Sequence, residues 1–271
     1  MWGTRAATSD VTTLLVTGAS GTLGRALLAS GRHRAHRVRA AARRIPAAPA
    51  HDDIQWRSLD LLTGAGLEAA LAGAEVVVHA ASAPRGESER TEVEGTRRLV
   101  DAAAHARVRH LIYVSIVGVD RIPVAYYRHK LAAEEIVRGA SLPWTIVRGT
   151  QFFDLIDIWC GALAKSPIPI GMRGWKVQPI HVAEFADALW DVVDGAPQRR
   201  ILEIAGPQLL TWPEVVMSWR AATGRRPFAV GLPIPGRLSR LMRDGAACAP
   251  GRAIGTLTWR DWLARKYGPG T

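Results

Sequence analysis

The segment Thr12–Arg25 reads Thr-Thr-Leu-Leu-Val-Thr-Gly-Ala-Ser-Gly-Thr-Leu-Gly-Arg, and it constrains the fold more than any other stretch. A β-branched apolar run feeds straight into Gly-x-x-Gly-x-x-Gly. Arg25-Ala26-Leu27-Leu28-Ala29, a good helix former, follows at once. Strand, tight turn and helix in that order are the context a dinucleotide fingerprint requires. Gly18 supplies the turn. Gly21 leaves room for a pyrophosphate because no Cβ stands in the way. Gly24 lets the helix lie close on the strand. Ser20, Thr22 and Leu23 complete the loop. The N–H groups at the helix start, with their partial positive charge, would meet the phosphates.

The rest of the first half repeats the alternation. Strands are expected at about 12–17, 36–42, 54–56, 75–80, 110–115 and 144–147. Helices are expected at about 22–30, 67–71, 91–104 and 126–138. Alternation of this kind builds an α/β fold, a Rossmann-type doubly wound parallel sheet, here assigned to residues 1–150. After Arg148 the texture changes, with Pro167, Pro169, Gly171, Gly174 and Pro179 close together. A helix at 182–194, a strand at 201–204 and a capping box at Thr211 and Glu214 follow. Residues 151–271 are therefore expected to form a smaller mixed substrate lobe. Such a lobe usually shapes the pocket at the carboxyl ends of the strands.

Composition bounds the partners. Among 271 residues the formal charge is +11, and of 35 basic residues only Lys130, Lys165, Lys176 and Lys266 are lysines. The arginines are scattered and not interleaved with aromatics, which argues against a nucleic-acid surface. No apolar run reaches the length of a membrane span. Met1–Asp10 lacks the apolar core of a signal peptide. Cys160 and Cys248 are too isolated for a disulfide framework or a zinc site, and His33 and His36 lack a third metal ligand. A cytoplasmic protein, monomer or homodimer, acting on a small-molecule substrate is expected, without nucleic acid, membrane or metal.

Five places carry chemistry. The second strand ends in Arg43-Arg44 where an NAD site usually offers an acid, so two guanidiniums would meet the 2′-phosphate of NADP(H). Asp60, before Leu61, can accept from an adenine amino group or serve as a loop acid. Ala80, Ala81 and Ser82 are small enough to let a ribose approach the sheet, while His79 reads as a packed strand histidine. Tyr126 and Lys130 stand at i and i+4, on one helix face. An ammonium beside a phenol lowers its pKa and makes it a usable general acid. Gln151, Phe152 and Phe153 follow the sixth strand where a substrate pocket should open, and Trp159 and Trp175 could wall it. Ordinary lobe packing is the alternative for each.

Taken together, these residues resemble the short-chain dehydrogenase/reductase superfamily in its atypical, NmrA-like branch. The resemblance is carried by Thr17–Gly24, Asp60-Leu61, Ala80-Ala81-Ser82, Gly95-Thr96, Tyr113-Val114-Ser115, Tyr126-x-x-x-Lys130 and Thr145–Arg148. It implies an NADPH-dependent oxidoreductase that reduces a carbonyl or quinone of a small apolar molecule. Tyr126 would donate the proton, Lys130 would hold the cofactor ribose and tune Tyr126, and Ser115 would complete the catalytic set. Two positions depart from the pattern. Members often end the fifth strand with Ser-Ser, the second serine being catalytic, and here the pair is Ser115-Ile116. A one-residue shift reverses the face of a strand, which would turn Ser115 toward the cofactor. The Asn often found before Val-x-Gly-Thr is Glu92. The alternative function is an NADP-binding sensor without turnover, a class the branch also includes.

Overall fold

The computed structural model describes residues 11–47, 52–84, 86–165 and 170–268. Met1–Asp10, Pro167 and Pro169 lie outside the described residues. Six strands alternate with helices in the first half: β1 (Thr13–Thr17), α1 (Thr22–Ala29), β2 (Arg37–Ala42), β3 (Gln55–Ser58), α2 (Leu67–Leu71), β4 (Val76–His79), α3 (Thr96–His105), β5 (His110–Ile116), α4 (Ala125–Arg138) and β6 (Trp144–Gly149). A π-helical turn, Arg90–Gly95, leads into α3. The second half holds α5 (Phe153–Leu163), β7 (Ile170–Met172), β8 (Lys176–Val177), α6 (Val182–Asp194), β9 (Ile201–Ile204), β10 (Leu210–Thr211), α7 (Trp212–Ala222), β11 (Val230–Leu232), α8 (Arg237–Arg243) and α9 (Trp259–Tyr267).

The main sheet has seven strands in the order β3-β2-β1-β4-β5-β6-β9, and every pair is parallel. Both of its faces are covered, so its inner strands are almost wholly buried and mainly apolar. Leu14, Val16, Val78, Ile112 and Val147 pack under α1 and α6 on one face. Leu15, Val77, Leu111, Tyr113 and Ile146 pack under α2, α3 and α4 on the other. The alternation along each strand is the pleat at work. A third core unites Phe153 and Ile156 of α5 with Trp212, Val215 and Trp219 of α7 and Trp259, Trp262 and Leu263 of α9. The capping box at Thr211 and Glu214 is formed.

The cut at residue 150 needs correction. The α6 helix packs on α1, and Trp190, fully buried, donates its indole N–H to Leu27 O at 3.2 Å. The β9 strand completes the sheet beside β6, with Ile146 opposite Ile201. The chain thus returns from the lobe to finish the first unit, because the apolar face of α1 and the edge of β6 both need a cover. Residues 153–163, where no element is expected from the sequence, form α5. Among the described residues no helix is long and apolar enough to cross a membrane.

Candidate active site

The glycine turn opens at the carboxyl end of β1. Gly18 has φ +69°, and a Cβ there would stand 2.6 Å from the backbone of Ala81. The turn therefore rests on Ala80-Ala81, at the end of β4. A Cβ on Gly24 would collide with the backbone of Gly18 and Ala19. A Cβ on Gly21 would meet only Gly18 O, at 3.1 Å. Ser20, Gly21 and Thr22 are exposed. No side chain caps α1, so its first N–H groups stay available to an anion. Leu23 and Leu61 put their side chains in the two cores, which leaves only their backbone to a ligand. Arg43 and Arg44 are exposed, without a hydrogen bond or ion pair to another described residue. One carboxylate oxygen of Asp60 accepts from Leu62 N–H at 2.9 Å, a loop-ordering contact. An open cradle, an uncapped helix start and two unengaged guanidiniums fit a phosphorylated dinucleotide.

Beyond Ala81 the chain reaches Ser82, whose hydroxyl lies 2.6 Å from Tyr126 OH. One short loop thus joins the glycine turn to α4. Ser82 Oγ also donates to Glu92 Oε1 at 2.6 Å, and Ala83 N–H donates to the same oxygen at 2.9 Å. The second Glu92 oxygen lies 3.3 Å from Lys130 Nζ. Lys130 Nζ donates to Val114 O at 2.7 Å and sits 4.2 Å from the centre of the Tyr113 ring. Glu92 is 1% exposed and Lys130 3%. Burial pushes the Glu92 carboxyl up, but Lys130 and the donors of Ser82 and Ala83 outweigh it and hold it below the usual range. His79 bridges Thr17 at 2.8 Å and Thr96 at 3.0 Å, and burial with the Lys130 charge pushes its pKa down to about 3. It is a neutral packed histidine, in line with the sequence reading.

Three expectations change. The phenol of Tyr126 is not acidified. Burial first, and then the charge of Glu92, push it above its ordinary value, and the Ser82 hydrogen bond opposes them only in part. The ammonium of Lys130 is spent on Glu92 and Val114 O, so it cannot lower the Tyr126 pKa as the i, i+4 spacing suggested. Ser115 lies on the face of β5 that carries Tyr113. Its hydroxyl is buried and has no hydrogen-bond partner. Finally, the residues after β6 do not line an opening. Gln151 is 8% exposed and tied to Ala247 O and Gln178 N–H. Phe153 is fully buried among Trp259 and Trp262. Phe152 stacks edge-on against Phe185, and Trp175 donates to Ser239 Oγ at 2.9 Å. Lobe packing claims Gln151, Phe153 and Trp175, and the core under α1 and α6 claims Phe152.

The apolar neighbour of Tyr126 is instead Tyr127, with ring centres 6.2 Å apart. Tyr127, like Val124, Leu238, Leu241 and Met242, packs against the buried cluster of Ile122, Ala246 and Ala247. Sequence reading missed α8 here, and nothing local in 237–243 marks its partner. It also left Glu92 without a role. A carboxylate in place of the pattern's Asn, in a chain that keeps a lysine at 130, was the available signal.

Residues 18–188 match the model of a family described as NAD(P)H-binding. An uncharacterized protein of Mycobacterium tuberculosis is 30% identical over 234 residues, covering 83% of this chain and 25% of that protein. The chain thus spans about a quarter of the length of the first relatives it matches. The ceramide reductase of Caulobacter vibrioides is 28% identical over 237 residues, covering 83% of this chain and 74% of that protein. An NADPH-dependent quinone oxidoreductase of Escherichia coli, solved with NADPH, shares the fold. It matches with a TM-score of 0.79 at 20% identity, over 94% of this chain and 99% of that one. With the glycine turn, the sheet order and the family match in agreement, the chain belongs to the NAD(P)H-binding family.

Proposed function

We propose that the protein is an NADPH-dependent reductase of a carbonyl or quinone carried on a small apolar molecule, with Tyr126 as the proton donor. The observation that carries the reading is the connected set Tyr126–Ser82–Glu92–Lys130 beside the glycine turn. When bound, a reduced nicotinamide dinucleotide supplies a hydride to the carbonyl carbon, whose oxygen then needs a proton. Gly21 and the start of α1 would hold the pyrophosphate, Ala80 and Ala81 would admit the ribose, and Arg43 and Arg44 would hold a 2′-phosphate. A phenol held above its ordinary pKa stays protonated at neutral pH, which is the donor form. It can still protonate an alkoxide, a far stronger base. Val124, Tyr127, Leu238 and Met242 would offer the substrate an apolar wall.

The test is NADPH consumption with a panel of ketones and quinones. With a substrate that is turned over, Tyr126→Phe should lower kcat by about 10²–10⁴ and spare NADPH affinity. Full activity in that variant removes Tyr126 from the role. A second reading, an NADP-binding sensor without turnover, is favoured by the Ser115 hydroxyl, which is buried and without a partner. Tight NADPH binding with no consumption across the panel would select it.

A further inference from the structure

We infer that Ser82 is the hydroxyl that works with Tyr126 and that Glu92 directs it, so the serine of this site comes from the loop after β4 and not from β5. The inference rests on Tyr126 being the proton donor, as proposed above. Ser82 donates its only proton to Glu92 Oε1, at 2.6 Å. A hydroxyl has one proton and two lone pairs. Ser82 Oγ can therefore offer Tyr126 only a lone pair, and the phenol is the donor across their 2.6 Å contact. The order is Tyr126 O–H to Ser82 O–H to the Glu92 carboxylate. Glu92 keeps its place without Ser82, because Ala83 N–H and Lys130 hold it from two further sides. Ser115 cannot compete: its hydroxyl is buried and reaches no polar partner.

The arrangement suits the step assigned to Tyr126. When the phenol O–H bond breaks and an O–H bond forms on the substrate oxygen, a phenolate remains. Ser82 can then rotate its proton from Glu92 to the phenolate oxygen. Glu92, still paired with Lys130, loses one donor and is not left bare. Ser82 is exposed, so solvent can return the proton to Tyr126 through it. Both residues act through Tyr126 and are positioning residues.

The experiment uses the full chain with its four tyrosines replaced by ring-fluorinated tyrosine, followed by fluorine NMR. The Tyr126 resonance is identified by its loss in Tyr126→Phe. Ser82→Ala should move that resonance and raise the pH at which it titrates. Glu92→Gln should lower that pH, and Ser82→Thr should return both features toward wild type. With a substrate that is turned over, Ser82→Ala should lower kcat about tenfold or more, with a smaller loss in NADPH affinity. Ser82→Thr should recover most of it. The Ser82 variants change an exposed position, so they keep the test alive if Glu92→Gln does not fold. A Tyr126 resonance that ignores the changes at Ser82 overturns the inference, whatever the turnover. A larger loss of kcat in Ser115→Ala than in Ser82→Ala also overturns it. A resonance that responds, in a protein that consumes no NADPH with any carbonyl or quinone, upholds the linkage and removes the reductase reading instead.

Discussion

Gly21 and Gly24 stand three residues apart and are glycines for different reasons. A side chain at Gly24 would strike the backbone of its own turn, whereas one at Gly21 would press only on Gly18 O, at 3.1 Å, and otherwise face outward. Gly21→Val should therefore give a folded protein that no longer binds NADPH, and Gly24→Val a poorly folded one. Circular dichroism with titration calorimetry on both checks this; normal NADPH affinity in Gly21→Val would contradict it. Arg43 and Arg44 carry the second prediction. A charge-assisted hydrogen bond to a phosphate contributes about 1.5–3 kcal/mol, so NADPH should bind at least about tenfold tighter than NADH. Replacing both arginines by Ser should narrow that gap in the same titration. At this scale Gly18, Gly21, Gly24, Tyr126 and Lys130 were legible, since each belongs to a spaced local pattern. The Ser82–Tyr126 contact was not, because 44 residues separate the partners and no spacing rule reaches that far. The reversal of the Tyr126 shift has the same origin: the burial that comes first, and the Glu92 charge that adds to it, are supplied by other elements.

Elements were legible where the local pattern sufficed. Of the six strands before residue 150, the inner ones are mainly apolar runs bounded by turns, while the edge strand β3 (Gln55–Ser58) is polar and marked chiefly by its place in the alternation. The α5 helix escaped because Phe153–Leu163 is apolar on several sides and runs into a stretch rich in Pro and Gly. The strand at 201–204 was expected, but its place beside β6 was not, since a strand's pattern says how it is buried and not which edge it joins. Trp190 is the clearest test of this join. It is fully buried, stacks on His36 with ring centres 5.3 Å apart and bonds to Leu27 O. Trp190→Ala should cost about 3–5 kcal/mol in urea unfolding. A loss well under 1 kcal/mol would show that α6 is not part of the unit built on β1.

For the whole molecule, ion pairs neutralise part of the basic side chains, and the net +11 is the unpaired remainder. Arg32 pairs with Asp191 and Asp194, and Arg148 with Glu134 and Asp120. Micromolar binding to duplex DNA at physiological salt is not expected, and a mobility-shift titration decides it. Acid should weaken the fold. Burial lowers His79 from 6.5 to about 3 and His110 from 6.5 to about 4. Both are neutral in the folded state and take protons more readily when unfolded, so stability is full above 6.5 and falls as the pH drops toward those values. From His79 alone the loss by pH 5 is on the order of 2 kcal/mol. Further down, the depressed carboxyls of Glu92, Asp120 and Asp157 add to it as they take up protons. The urea midpoint should be lower at pH 5 than at pH 7, and the difference should shrink in His79→Gln. The late return of β9 to the sheet also has a consequence for biosynthesis. When Gly149 leaves the ribosome, β6 is an open sheet edge and the apolar face of α1 is bare. The face of α1 stays bare until α6 has emerged at Asp194, and the edge of β6 until Ile204 has, some 55 residues after Gly149. At usual elongation rates that is roughly 3–10 s in which a nascent chain presents a sticky strand to its neighbours, a window that a chaperone would have to cover and that slower translation would lengthen.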